Sequence, residues 1–200
     1  MRAAGSRVVG DDTLKALEAL GRAARARTQA KVVAVTGSVG KTGTKEALRL
    51  ILSEQGATHA SAASYNNMGG VRLSRARMPA DTRFGIFEVG MNHPGEITPL
   101  SRLVEPFAAL ITTVEAVHMA FFDSVEQIAD AKGEIFDGLQ KGGVAILNRD
   151  NPHFERLLAK AKASGAGRII SFGEHADAEA RLDKVALKED CSCVSATICG

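Results

Sequence analysis

Lys31-Val32-Val33-Ala34-Val35-Thr36-Gly37-Ser38-Val39-Gly40-Lys41-Thr42 is the stretch on which the fold turns. Its first six residues are apolar and rich in β-branched side chains, the texture of a strand buried on both faces. Two glycines follow, and Lys41-Thr42 opens a helix expected to run to about Glu54, with Ala47, Leu48, Ile51 and Leu52 on one face. Strand, Gly-rich turn and helix in this order are the context of a phosphate-binding loop. Glycines let backbone N–H groups close around phosphate oxygens, and the helix N-terminus adds its positive dipole end. Gly37, Ser38, Val39, Gly40, Lys41 and Thr42 are therefore the candidate nucleotide-binding residues. Lys41 is placed to reach the β- and γ-phosphates, and the Thr42 hydroxyl to ligate Mg²⁺. The longer form of this loop has a glycine where Val35 stands, so this is a shortened variant. The competing reading, a Gly-rich turn with a solvated lysine, fits the register of all three parts less well.

Outward from this stretch the chain alternates. Asp11 or Asp12 can cap a helix to about Arg27, with Leu14, Leu17, Leu20 and Ala24 as its apolar stripe, and Gly21 to Lys31 reads as an exposed helix end and linker. Strands are expected over 84–89, 107–113, 144–147 and 168–172. Between them lie helices opened by Pro94, by the Ser124/Gln127 capping pair (running to about Leu139) and by Asn151-Pro152. Such alternation predicts an α/β fold, a P-loop NTPase-like and mostly parallel sheet with helices on both faces. Residues 182–200 read as a short β-rich tail. The expected division is a linker helix and remnant of a preceding domain over 1–30 and an ATP-binding domain over 31–200.

The 200 residues carry 25 basic and 23 acidic side chains, a net charge of +2, which argues against a nucleic-acid or polybasic membrane binder but not against a local anion site. With no Trp, one Tyr and eight Phe there is no stacking platform for single-stranded nucleic acid. Cys191, Cys193 and Cys199 are too few and too close for a disulfide framework and read as reduced thiols. No secretory signal and no run of 18 apolar residues is present, so a cytoplasmic protein without a membrane span is expected.

Further candidates come from residues at odds with their surroundings. Glu88 ends the apolar strand Phe84-Gly85-Ile86-Phe87-Glu88-Val89, where a carboxylate is costly unless it is paired or binds a cation. Lys132 falls on the stripe of Val125, Ile128, Ala129, Ile135, Phe136 and Leu139. Periodicity favours a lysine snorkelling at the stripe's border; the functional alternative is a lysine held at an anionic centre, or one chemically modified. His118, the pair Asn66-Asn67, and Asn148-Arg149-Asp150 lie in loops after strands, where turn and capping roles compete with function.

Read together, these stretches resemble the central ATPase domain of the Mur ligases. The match runs through Val35 to Thr42, Asn66-Asn67 with Gly70-Val71, Glu88-Val89-Gly90-Met91-Asn92-His93-Pro94-Gly95-Glu96-Ile97, the His118 loop, Ala131-Lys132-Gly133-Glu134-Ile135 and Ile146-Leu147-Asn148-Arg149-Asp150. The run from Gly90 to Ile97 resembles the MurF type, which joins D-alanyl-D-alanine to UDP-N-acetylmuramoyl-tripeptide in peptidoglycan synthesis. The resemblance implies ATP and Mg²⁺ as cofactors, an acyl-phosphate intermediate, and a monomer in the cytoplasm. It implies catalytic roles for Lys41, Glu88, His118 and Lys132. Thr42, Glu88, His118 and a carbamylated Lys132 would serve magnesium, Asn148 the adenine, and Asn66 and Asn67 the peptide substrate. Gly43, Met68-Gly69, Arg72 and Ala120 depart from the family pattern. The family's enzymes have three domains, so the chain reads as a fragment whose C-terminal domain is absent, expected by itself to bind Mg-ATP weakly and not to ligate. A nucleotide-binding module without ligase activity, a folylpolyglutamate-synthase-like ligase and a P-loop phosphotransferase are the alternatives.

Overall fold

A computed structural model describes residues 12–62, 65–117 and 119–198. Asp11, His118 and Cys199, singled out above, lie outside them. Eight strands form one sheet: β1 (Lys31–Thr36), β2 (Thr58–Ala60), β3 (Phe84–Glu88), β4 (Ala108–Ile111), β5 (Val144–Asn148), β6 (Arg168–Gly173), β7 (Ala180–Leu187) and β8 (Ser192–Ile198). Their order is β2-β3-β1-β4-β5-β6-β7-β8. All neighbours are parallel except β7 and β8, an antiparallel hairpin. β7 meets β6 only through Phe172↔Ala180 and Gly173↔Arg181, so it carries on past the end of β6 and needs no crossover. The expected α/β architecture with a β-rich tail is thus present.

The helices are α1 (Thr13–Ala26), α2 (Lys41–Ser53), α3 (Met68–Ala76), α4 (Ile97–Val104), α5 (Val125–Gly133) and α6 (Phe154–Ala163). Val32, Ala34, Phe87, Ile111 and Leu147 from the sheet pack with Ile97, Leu100, Ile128 and Ile135 from the helices in one apolar core. Among the described residues no helix is long and apolar enough to cross a membrane.

Several local expectations are corrected. On α1 the buried residues are Gly21 and Ala24, while Leu14 and Leu20 are 54% and 46% exposed. The helix lies against α3, where a Cβ at Gly21 would sit 3.6 Å from Arg72 O, so a small residue sets the contact rather than a leucine stripe. The basic stretch after it is not a free linker: Thr28 and Ala30 are buried, and Thr28 Oγ1 donates to Thr82 O at 2.8 Å. On α2, Ile51 is 58% exposed and the buried residue is Lys45.

α4 begins at Ile97, three residues beyond Pro94, because its cap comes from elsewhere in the chain. The Glu134 carboxylate accepts from the backbone N–H groups of Gly95, Ile97 and Thr98 at 2.7, 3.1 and 3.0 Å. This satisfies donors that every helix N-terminus leaves open. The α5 helix tightens at the same Glu134 into a 3-10 helix, Glu134–Gly138, instead of continuing to Leu139. β2 and α3 had no counterpart in the pattern reading. α3 starts with Gly69 and Gly70 in its first turn, poor helix formers, and is initiated by Asn67, whose Oδ1 accepts from Gly70 N at 2.9 Å.

Candidate functional site

The phosphate-loop candidate leaves β1 at the buried Thr36 and enters α2 at Lys41. Gly37 has φ +150°, and a Cβ there would lie 1.8 Å from Thr112 Oγ1. Gly40, at φ +83°, caps α2 without a side-chain hydrogen bond, so the cap residue itself leaves the first-turn N–H groups open to a ligand. The residues after β4 brace the loop from beneath. Thr112 Oγ1 lies 2.5 Å from Val39 O as its donor, Ser38 N donates to Thr113 O at 2.9 Å, and Ser38 Oγ accepts from Glu115 N at 2.9 Å. Lys41 Nζ folds back on Gly37 O at 2.8 Å, half-buried. Burial holds its pKa below the usual lysine value, with Glu88 opposing.

Glu88 is 1% exposed at the carboxyl end of β3, beside Val35 of β1. Its Oε2 accepts from Thr42 Oγ1 at 2.9 Å and its Oε1 from Asn66 Nδ2 at 2.8 Å. The backbone N–H of Glu88 donates to Ser61 Oγ at 3.2 Å, and Ser61 O accepts from Lys45 Nζ at 2.9 Å. Lys45, fully buried, therefore supports the strand end that carries Glu88. The sequence reading missed this residue. Its signal was the spacing 41, 45, 48, 52, which puts Lys45 on the inward face of α2 with Leu48 and Leu52.

Lys132 is 3% exposed. The snorkelling alternative does not describe it: it lines the same cavity as Lys41. Burial first, and the Lys41 charge second, push its pKa down to about 7. An amine so placed is largely unprotonated at mildly alkaline pH, unlike an ordinary lysine.

A cavity of about 860 Å³ joins these parts. Gly37 and Lys41 form one wall, Asn66 to Gly69 a second, and Gly90 to Asn92 with Gly95 and Glu96 a third, with Lys132 facing in. The third wall is shaped by Glu134, as above, and by Glu96, whose Oε2 accepts from Asn92 N at 2.7 Å. Gly90 is required by closeness, since a Cβ there would lie 2.9 Å from Asn66 Cγ.

The structure thus brings together Lys41, Thr42, Glu88, Asn66, Asn67 and Lys132. Asn67 lines the cavity but spends its Oδ1 on the α3 cap. Asn148 is not in this cavity: it borders a separate hollow with Phe172 and Arg181, and its Nδ2 donates to Thr112 O at 3.1 Å. It reaches the phosphate loop only through that residue. Thr42 and Glu88 fit Mg²⁺, which takes oxygen ligands and is held by one or two protein groups plus phosphates and water. No group of three or more His, Cys, Asp or Glu that could hold a metal occurs among the described residues.

The family described as Mur ligase middle domain matches residues 35–199. The UDP-N-acetylmuramoyl-tripeptide–D-alanyl-D-alanine ligase of Rickettsia prowazekii is 39% identical over 175 residues, 88% of this chain and 39% of that protein. The chain therefore spans about two fifths of that relative's length. A crystal structure of MurF from Acinetobacter baumannii superposes with a TM-score of 0.87 at 30% identity, over 99% of this chain and 42% of that one. MurF from Thermotoga maritima, in complex with ADP, shares the fold at a TM-score of 0.82 and 23% identity, over 99% of this chain and 45% of its own.

Proposed function

This chain belongs to the Mur ligase family, as its middle domain, and on that premise we propose that it is the ATP-handling part of a ligase that joins D-alanyl-D-alanine to UDP-N-acetylmuramoyl-tripeptide in peptidoglycan synthesis. The observation that carries the reading is the single cavity in which Lys41 of the phosphate loop faces Lys132 and the Asn66 segment.

In this proposal the amides of 37–42 and the first turn of α2 bind the ATP phosphates. Lys41 leaves the carbonyl of Gly37 for the terminal phosphate oxygens. Thr42 and Glu88 hold Mg²⁺, which neutralises charge on the phosphates when bound. The tripeptide carboxylate oxygen attacks the γ-phosphorus, ADP leaves, and an acyl phosphate results. The amine of D-alanyl-D-alanine attacks the acyl carbon, loses a proton and releases inorganic phosphate. Asn66 and Asn67 border the peptide, and Asn148 lies toward the adenine.

A neutral Lys132 amine can add to CO₂, forming an N–C bond and releasing a proton. The carbamate anion then sits opposite Lys41. With His118 it would serve a second magnesium. Residues 31–200 are assigned to the ATP-binding domain and 1–30 to the segment leading into it. A monomer working in the cytoplasm, where UDP-linked precursors are made, completes the proposal.

The test is peptide-dependent phosphate release by the whole protein with UDP-N-acetylmuramoyl-tripeptide, D-alanyl-D-alanine and Mg-ATP, the amide product identified by mass. A phosphorylated hydroxyl compound, or nucleotide binding without turnover, overturns it. A carbamate signal with ¹³C-bicarbonate, absent in Lys132→Ala, tests the modification separately.

A further inference from the structure

Beside the candidate catalytic cavity, α1, α3 and α4 enclose a separate hollow of about 410 Å³ lined by Arg22, Arg72, Arg75, Arg102, Glu18 and Glu105. We propose that this hollow is a second anion site, built for a phosphate or diphosphate group.

Charge is the first observation. Four guanidiniums meet two carboxylates, which leaves two positive charges in excess, the charge of a bound phosphate dianion. The carboxylates are already engaged: Glu18 pairs with Arg22 at 2.6 Å and Arg72 at 2.9 Å, and Glu105 with Arg75 at 3.4 Å.

The second observation is unmet hydrogen bonding. Arg75 is 2% exposed, yet among the described residues its Nε and Nη1 have no acceptor, and neither has the buried Nε of Arg72. Buried guanidinium N–H groups are costly when unpaired, and side chains lining one hollow can share one ligand. Phosphate oxygens suit them, because planar guanidiniums bind phosphate through paired N–H bonds. Burial disfavours the charged form of Arg75, with Arg25 and Arg22 adding to this and Glu105 and Glu18 opposing it.

Gly21 is part of the construction. A Cβ there would fall 3.5 Å from Arg75 Cδ, an ordinary contact distance, so only a residue as small as glycine or alanine fits where α1 packs on the arginine stem. Met68 and Pro99 border both this hollow and the catalytic cavity, which makes the two sites neighbours. The group has two possible sources, a free phosphate or pyrophosphate, and the diphosphate of a UDP-linked substrate. Only the second source rests on the ligase reading.

Inorganic pyrophosphate is titrated, without magnesium, into the 200-residue chain carrying Lys41→Ala, which weakens the competing phosphate loop. Binding is followed by calorimetry and by the NMR signals of arginine Nε–H. Signals from Arg72 and Arg75 are expected to move. Arg102→Gln and Arg22→Gln, both at exposed positions, are each expected to weaken binding about tenfold with the unfolding midpoint unchanged. Unmoved arginine signals, or affinities unchanged in both variants, overturn the proposal. Mg-ATP binding by Arg102→Gln with Lys41 intact reports the phosphate loop independently, so failure here is distinguishable from failure of the functional reading. Once binding is seen, displacement of pyrophosphate by UDP-N-acetylmuramoyl-tripeptide but not by the UDP-free muramoyl peptide identifies the substrate diphosphate. Displacement by neither identifies a free anion. Either outcome retains the site.

Discussion

Lys132→Met should make the ligand-free protein more stable while removing the amine that the proposed mechanism modifies. Lys132 is buried beside Lys41 and its pKa lies at about 7 instead of the usual 10.5. Above pH 10.5 the amine is neutral in both the folded and unfolded chain. Between about 7 and 10.5 the unfolded chain holds a proton that the folded chain does not, so folding stability rises with pH across this window. Below about 7 both hold the proton and the full penalty of burying the charge remains. At about 1.4 kcal/mol per pH unit the interval amounts to about 5 kcal/mol. Methionine has similar length and no charge. The wild-type deficit relative to Lys132→Met should then be about 4 kcal/mol at pH 7 and about 2 kcal/mol at pH 9, vanishing near pH 10.5. For a chain of this size the pH 7 value corresponds to a rise in Tm on the order of 10 °C. The assay is urea unfolding of both proteins from pH 6 to 10 in CO₂-free buffer, since a carbamate would replace the amine with an anion. A deficit that does not shrink between pH 7 and 9.5, or a wild type that is the more stable at pH 7, refutes the reasoning.

Lys41→Ala should weaken Mg-ATP binding about 10- to 100-fold, the worth of a charged hydrogen bond, whereas Arg49→Ala on the exposed side of α2 should change it less than about twofold; calorimetry giving equal affinities would remove Lys41 from the phosphates. Lys45→Met should lower stability by about 1–3 kcal/mol, because it strips the Ser61 carbonyl of its buried donor; an unchanged urea midpoint would show that Lys45 bears no load at the Glu88 strand end. Gly43→Ala should raise stability by about 0.5–1 kcal/mol, since a Cβ there meets nothing within 4 Å; a lower melting temperature would contradict that. Glu134→Gln should destabilise the α4 start by about 1–2 kcal/mol, read as faster amide exchange at Gly95, Ile97 and Thr98, and unaltered exchange would deny it the capping role.

Much of this protein is local and was therefore open to inspection in the chain. Lys31 to Thr42 specifies strand, loop and helix start within twelve residues, because β-branching, glycine and helix capping act between near neighbours. The same holds for Ser124, whose hydroxyl accepts from Gln127 N at 3.3 Å as the pair predicts. Strand–helix alternation then restricts the topology to a parallel sheet, and Glu88 advertises itself as a charge inside an apolar strand. What only the tertiary structure decided are the contacts between distant parts of the chain. Glu134 and the α4 start are 36 to 39 residues apart, so no window of periodicity contains both the helix start and its cap. The inward face of α1 depends on how closely α3 approaches, which Gly21 permits and leucines would prevent. Lys45 and Lys132 each sit on an apolar stripe, and pattern alone does not say what either amine meets there. Packing separates them: Lys45 finds the Ser61 carbonyl and becomes structural, whereas Lys132 meets a cavity and another ammonium. Periodicity reports which face of a helix turns inward, but what waits there is set by other segments, and that environment decides whether a buried amine is hydrogen-bonded as a brace or left facing a cavity with a lowered pKa.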